Sequence, residues 1–102
     1  GAGELVDRGA DGIFAANDEM AAAAIWTITH RGLNVPGDVK VAGFDGSAIG
    51  EMIEPTLTSV VQPFAAIAAA AVELLEAGIR GAATPARVRL EPTLVIGGST
   101  TV

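Results

Sequence analysis

The sequence predicts an α/β fold built on a parallel sheet, and three observations carry that prediction. Gly12-Ile13-Phe14-Ala15-Ala16 is a short apolar run, the pattern of a strand covered on both faces, and it passes at once into a helical pattern at Asn17-Asp18-Glu19. After that helix a second apolar run, Val39 to Phe44, ends in another acid, Asp45; two strands joined by a helical crossover form a parallel, right-handed pair. Half of the 102 residues are apolar, yet much of this is Ala and Gly and the aromatics are one Trp and three Phe. That balance favours close packing of helices on a sheet over a bulky all-β core.

In chain order, Gly1 to Arg8 reads as the last turns of a helix, with Leu5 and Val6 apolar and Gly9 as the left-handed residue after its end. No helix start and no strand precede it, so the chain is expected to be a piece of something longer. In the next helix Asn17 is a favoured N-cap, and Asp18 and Glu19 complement the positive end of the helix dipole. Ala21, Ala24, Ile25 and Ile28 fall at i, i+3, i+4 and i+7, one apolar stripe facing the sheet. Arg31 and Gly32 close the helix, and Pro36 prevents its resumption.

The strand from Val39 then finishes on the same sheet edge as the first, which places Asp45 beside Asn17 and Glu19. Gly46 to Glu54 is a loop with one helical turn, ended by Pro55. Leu57 to Val61 reads as a third strand leading to Gln62 and Pro63. Pro63 suits a first helical position, and an Ala-rich helix runs from it to about Gly78 with Phe64, Ile67, Ala68, Ala71 and Leu75 on its inner face. Two extended pieces follow, Arg87 to Leu90 and Thr93 to Ile96, separated by Pro92.

Composition removes several functions. A formal charge of −6 with scattered Lys and Arg argues against this segment gripping nucleic acid or an anionic membrane. The absence of Cys removes disulfides, thiolate catalysis and Cys-ligated zinc. No apolar run approaches the roughly 20 residues that span a bilayer, and no export signal opens these residues, so a cytoplasmic location is expected. His30 is the single histidine, without a second ligand at metal spacing, and reads as a solvent-side residue aiding its helix C-terminus. Ser47, Ser59 and Ser99 show no nucleophile-elbow setting, and no glycine loop cradles a phosphate. No cofactor and no metal is implied.

What remains is recognition. In open parallel sheets ligands sit in the crevice outside the carboxyl ends of the strands, so the rim of Asn17, Glu19 and Asp45 stands where a small molecule is read. Asp18 reads as a dipole partner rather than a contact, and Phe14 and Phe44 as core. Trp26 lies about 140° round the helix from the Ala21 stripe; an aromatic on that outer face, backed by Ala22, Ala23 and His30, suggests a partner surface.

Four blocks carry a resemblance: Asn17-Asp18-Glu19-Met20-Ala21, Arg31-Gly32-Leu33-Asn34-Val35-Pro36-Gly37-Asp38-Val39, Val41-Ala42-Gly43-Phe44-Asp45, and Pro55-Thr56-Leu57-Thr58-Ser59-Val60-Val61-Gln62-Pro63. In this order and spacing they resemble the lac/galactose repressor family of bacterial transcription regulators. The resemblance implies the last third of a two-lobed effector domain similar to periplasmic sugar-binding proteins. Residues 1–59 and 93–102 would belong to the C-terminal lobe, and 60–92 to a hinge crossing with a helix and strand of the N-terminal lobe. Operator DNA would be bound only through a helix-turn-helix absent from these residues.

The resemblance further implies effector contacts at Asn17, Glu19, Asp45, Gln62 and Phe64, with a sugar, polyol or purine as ligand. For Phe64 the residue pattern alone reads as helix-sheet core, and both readings stand. Ala22, Trp26, Met52 and Ile53 are the implied homodimer interface. Gly97-Gly98-Ser99-Thr100 departs from the family, where an Arg-containing stretch is usual. The expectation is thus an effector-binding, non-catalytic, allosteric part of a repressor-type regulator. The alternatives are a solute receptor of a sugar ABC transporter, which shares the fold, and an enzyme using Asp45 and Glu19 as paired acids.

Overall fold

The computed structural model describes residues 1–85 and 87–102. The elements in chain order are α1 (Ala2–Asp7), β1 (Gly12–Phe14), α2 (Asp18–His30), β2 (Lys40–Asp45), α3 (Ile49–Met52), β3 (Thr58–Val61), α4 (Phe64–Ile79) and β4 (Thr93–Val95). They fall into two compact units, Gly1–Val61 with Leu94–Val102, and Gln62–Thr93.

In the first unit the sheet runs β1-β2-β3-β4. β1 pairs with β2 in parallel, Ile13 opposite Val41, and β2 with β3 in parallel, Gly43 opposite Ser59 and Asp45 opposite Val61. The crossover between the first two strands is α2, and its stripe behaves as the spacing predicts: Ala21, Ala24, Ile25 and Ile28 are all buried, joined by Val39, Val41 and Leu57. Ile28 and Val41 are fully buried, each contributing about 1.5–3 kcal/mol by leaving water. Arg31 follows the last helical residue and Gly32 adopts φ 80, so the helix ends where its Arg-Gly pair predicts.

α1 is held by its neighbour. Ala2 and Val6 pack on the core, and Arg31 Nη1 donates to Gly3 O at 2.9 Å and to Asp7 Oδ1 at 2.6 Å. Arg31 and Asp7 are 42% and 67% exposed, so their ion pair contributes at most about 1 kcal/mol.

The C-terminal segment closes the first unit. Ser99 is fully buried; its Oγ donates to Val41 O at 2.6 Å and accepts from Thr58 N at 2.9 Å. Its backbone adds two bonds, Val41 N to Ser99 O at 3.1 Å and Ser99 N to Thr56 O at 2.9 Å. A Cβ on Gly97 would lie 2.6 Å from Thr56 O and from Leu57 C. Glycine is what lets this segment come so close, and the Gly-Gly-Ser-Thr stretch that departs from the expected Arg pattern is therefore a backbone plug.

Three expectations need correction. Phe14 is 67% exposed rather than core. β1 is the edge strand of the sheet, and its successive side chains face opposite sides, so Ile13 packs on the core while Phe14 faces outward. Phe44 is only half-buried. Among the described residues, 87–90 form no strand, and β4 is the strand that follows α4.

The second unit holds the largest departure. No residue of α4 is buried, and Phe64, Ile67 and Leu75, expected on an inner face, are 56%, 39% and 64% exposed. The less exposed positions are Ala70, Leu74 and Ala77. Ile67, Ala70, Ala71 and Leu74 form a groove with Val88 and Leu90, so the segment around 88–90 lies beside one face of the helix inside its own unit. A helix apolar on most sides needs cover on most sides, and one segment supplies it on one. Pro63 is the N-cap rather than the first helical residue.

Candidate functional site

The polar rim is built by the strand-to-helix turn after β1. Asn17 is extended, φ −153 and ψ 171, and its Oδ1 accepts the N–H of Met20 at 2.8 Å, so the predicted N-cap forms. The cap fixes the first turn and leaves Glu19 exposed. Because β1 and β2 are parallel, Asp45 at the end of β2 stands on the same edge. It is half-buried, and its φ of 111 is the one positive value at a non-glycine among the described residues. Such a backbone costs of order 1–3 kcal/mol and persists only where its surroundings hold it.

The residues that follow Asp45 are held by one that the sequence reads as a partner of the helix dipole. Asp18 is fully buried. Its Oδ2 accepts the backbone N–H of Ser47 at 2.6 Å, and its Oδ1 accepts the hydroxyl of Ser59 at 2.6 Å. Ser59 Oγ in turn accepts the N–H of Gly46 at 3.2 Å. The first turn of α2 is thereby tied to both residues that follow Asp45. A Cβ on Gly43 would run into Asp18 Oδ1, so a glycine in mid-strand makes room for the carboxylate. That glycine was the available signal: a gap in a strand interior means that something comes close. Ser47 Oγ is buried without a hydrogen-bond partner among the described residues.

The other expected contacts lie in the second unit. Gln62 is half-buried and Phe64, the first residue of α4, is exposed. Phe64 N donates to Gln62 O at 2.9 Å.

On the outer face of α2 Trp26 is 61% exposed, and its ring stacks on His30 with centroids 3.9 Å apart. His30 Nδ1 lies 2.8 Å from Trp26 O; a carbonyl only accepts, so Nδ1 carries the proton. Met52 is 81% exposed, Ala22 is half-buried, and Ile53 packs in part against the core.

A separate open cleft of about 580 Å³ lies among α1, β1 and α2, lined by Leu5, Ile13, Phe14, Met20 and Thr27 among others. It holds no cluster of polar side chains able to orient a ligand. Among the described residues no group of three or more His, Asp or Glu could hold a metal ion, and no helix is long and apolar enough to cross a membrane.

The rim offers hydrogen-bonding groups at the carboxyl ends of parallel strands. Residues 2–100 match the family described as periplasmic binding protein-like domain. The HTH-type transcriptional regulator GntR of Escherichia coli strain K12 is 42% identical over 90 residues, covering 87% of this chain and 27% of that protein. A LacI family transcriptional regulator from Arthrobacter sp. FB24, solved in complex with lactose, matches with a TM-score of 0.83 at 36% identity, over 97% of this chain and 38% of that one. The lac repressor dimer bound to operator and the anti-inducer ONPF matches with a TM-score of 0.91 at 28% identity, over 99% and 31%. The chain thus spans about a quarter of the length of the curated relative.

Proposed function

The chain belongs to the periplasmic binding protein-like domain family, in the form found in LacI-family transcriptional regulators, and from that membership we propose that it is the effector-binding and dimerising part of such a regulator. The observation that carries the proposal is the rim of Asn17, Glu19 and Asp45, where a backbone held at φ 111 presents a carboxylate at the end of a parallel strand. Strain of this kind, kept in place by a buried network, marks a position used for recognition. The ligand is a small polyhydroxylated molecule, a sugar above all; lactose occupies the Arthrobacter relative. Gln62 and Phe64 are proposed as further effector contacts.

In this reading the acids accept hydrogen bonds from hydroxyls and no covalent chemistry is needed. The effector acts by binding one state of the regulator more tightly than another, and the free energy available for switching is only that difference. A dimer formed through Ala22, Trp26, Met52 and Ile53 passes the shift to DNA-binding segments elsewhere in the regulator, which works in the cytoplasm. The names of the relatives favour this over a solute receptor of a sugar transporter.

The test is calorimetric titration of the intact regulator with a panel of lactose, cellobiose and other sugars, polyols and purines, with operator release measured in parallel. Asp45→Ala should weaken binding of the responsive compound by about 10- to 150-fold, the loss of one or more hydrogen bonds to a charged group. Operator affinity without effector should be retained. Unchanged effector affinity in Asp45→Ala would sink the site assignment.

A further inference from the structure

The two residues that follow Asp45 are held by a buried carboxylate. The relay runs in one direction: Gly46 N–H donates to Ser59 Oγ, Ser59 O–H donates to Asp18 Oδ1, and Ser47 N–H donates to Asp18 Oδ2. Ser59 has a single proton and spends it on Asp18, which leaves its lone pairs for Gly46. Both amides immediately after Asp45 are thus held from one buried residue. That residue is also the first of α2, next to the cap Asn17 and to Glu19. Three of the rim positions share one anchor.

We propose that Asp18 is the positioning residue of the effector rim: through Ser47 N–H directly, and through Ser59 and Gly46 N–H indirectly, it sets the backbone turn that presents Asp45, and it locks that turn to the helix start carrying Asn17 and Glu19. The inference rests on the effector-binding reading of the rim.

The chemistry asks for a carboxylate at this position. Both oxygens face donors, and a carboxylate accepts from both while every proton has an acceptor. An asparagine could keep the Ser47 N–H on its amide oxygen and donate its N–H₂ to Ser59 Oγ, at the cost of the acceptor for the Ser59 proton. Asp18→Ala removes both contacts and is the sharper variant. Serine is likewise specific at 59, since its hydroxyl both donates and accepts there. Ser59→Ala removes the Gly46 arm and leaves the Ser47 arm, so the two variants separate the two routes. Because Gly46 packs against Val61, where a Cβ would lie 2.7 Å from the valine methyls, the turn has little room to adopt a second arrangement without moving β3.

The experiment uses the intact regulator and two readouts. The first is hydrogen-exchange mass spectrometry on the peptide spanning residues 43–50. Asp18→Ala should raise exchange at Gly46 and Ser47 about tenfold, and Ser59→Ala should raise it at Gly46 with Ser47 retained, while peptides covering Ile28 and Val41 keep their protection. Unchanged exchange at both amides in either folded variant overturns the proposal, whatever ligand the protein takes.

The second readout is lactose affinity. Asp18→Ala should weaken it about tenfold, and Asp18→Ala combined with Asp45→Ala should lose less than the product of the two single effects, since Asp18 acts in part through Asp45. If Asp45→Ala weakens lactose binding and Asp18→Ala does not, the positioning role fails and the effector reading stands. If the wild type binds lactose and neither variant alters that binding, the effector reading fails, and the exchange data alone decide whether Asp18 holds the turn.

Discussion

The hydroxyl of Ser99 donates to the carbonyl oxygen of Val41 across a separation of 58 positions, and both residues are buried. Ser99 Oγ in turn receives the N–H of Thr58, so one side chain joins the C-terminal segment to two adjacent strands. Ser99→Ala leaves Thr58 N–H without its acceptor and Val41 O without its hydroxyl partner. The expected cost is about 1–3 kcal/mol, read as a lower urea midpoint with an unchanged slope for the intact protein. Effector affinity measured well below the midpoint should be unaffected, because the plug lies away from Asp45.

Asn17 serves as a cap and is proposed as a contact, and the two roles separate by substitution. Asn17→Ala loses the bond to Met20 N–H and should cost about 0.5–2 kcal/mol. Asn17→Ser keeps a capping oxygen and removes the amide, so thermal unfolding should return close to wild type while sugar affinity stays reduced. Full recovery of affinity in Asn17→Ser would assign the residue to capping alone.

Trp26 and His30 stack on the open face of α2. A charged group placed there meets a surface that is apolar and aromatic, so Trp26→Glu should weaken self-association of the intact regulator by about tenfold or more. Sedimentation equilibrium across a dilution series measures this. An undiminished dimer removes the helix from the interface.

Local chemistry was legible wherever it decided the outcome. Asn17, the Ala21 to Ile28 stripe and the Arg31-Gly32 ending lie within one helix, and each formed as its spacing requires. The parallel pairing of β1 and β2 followed from a connection too long for a hairpin. Three features depended on distant partners and were not legible. Asp18 and Glu19 are adjacent acids in the same first turn, yet Asp18 is buried and Glu19 exposed, because Ser47, Ser59 and the missing Cβ of Gly43 surround only the former. Phe14 looked like core because an apolar pentapeptide does not reveal which strand stands at the edge. The apolar residues of α4 were read as an inner face, but periodicity states what a helix must bury and not what is there to bury it.

The edge position of β1 has a consequence for how these 102 residues behave on their own. Gly12, Ile13 and Phe14 pair with β2 on one side, and on the other they offer backbone donors and acceptors beside an exposed aromatic ring. That is an edge on which a strand of a second chain could pair, the liability that edge strands carry. Its shortness and the charge of Asp11 next to it are the restraints present, and a lysine in place of Phe14 would strengthen them.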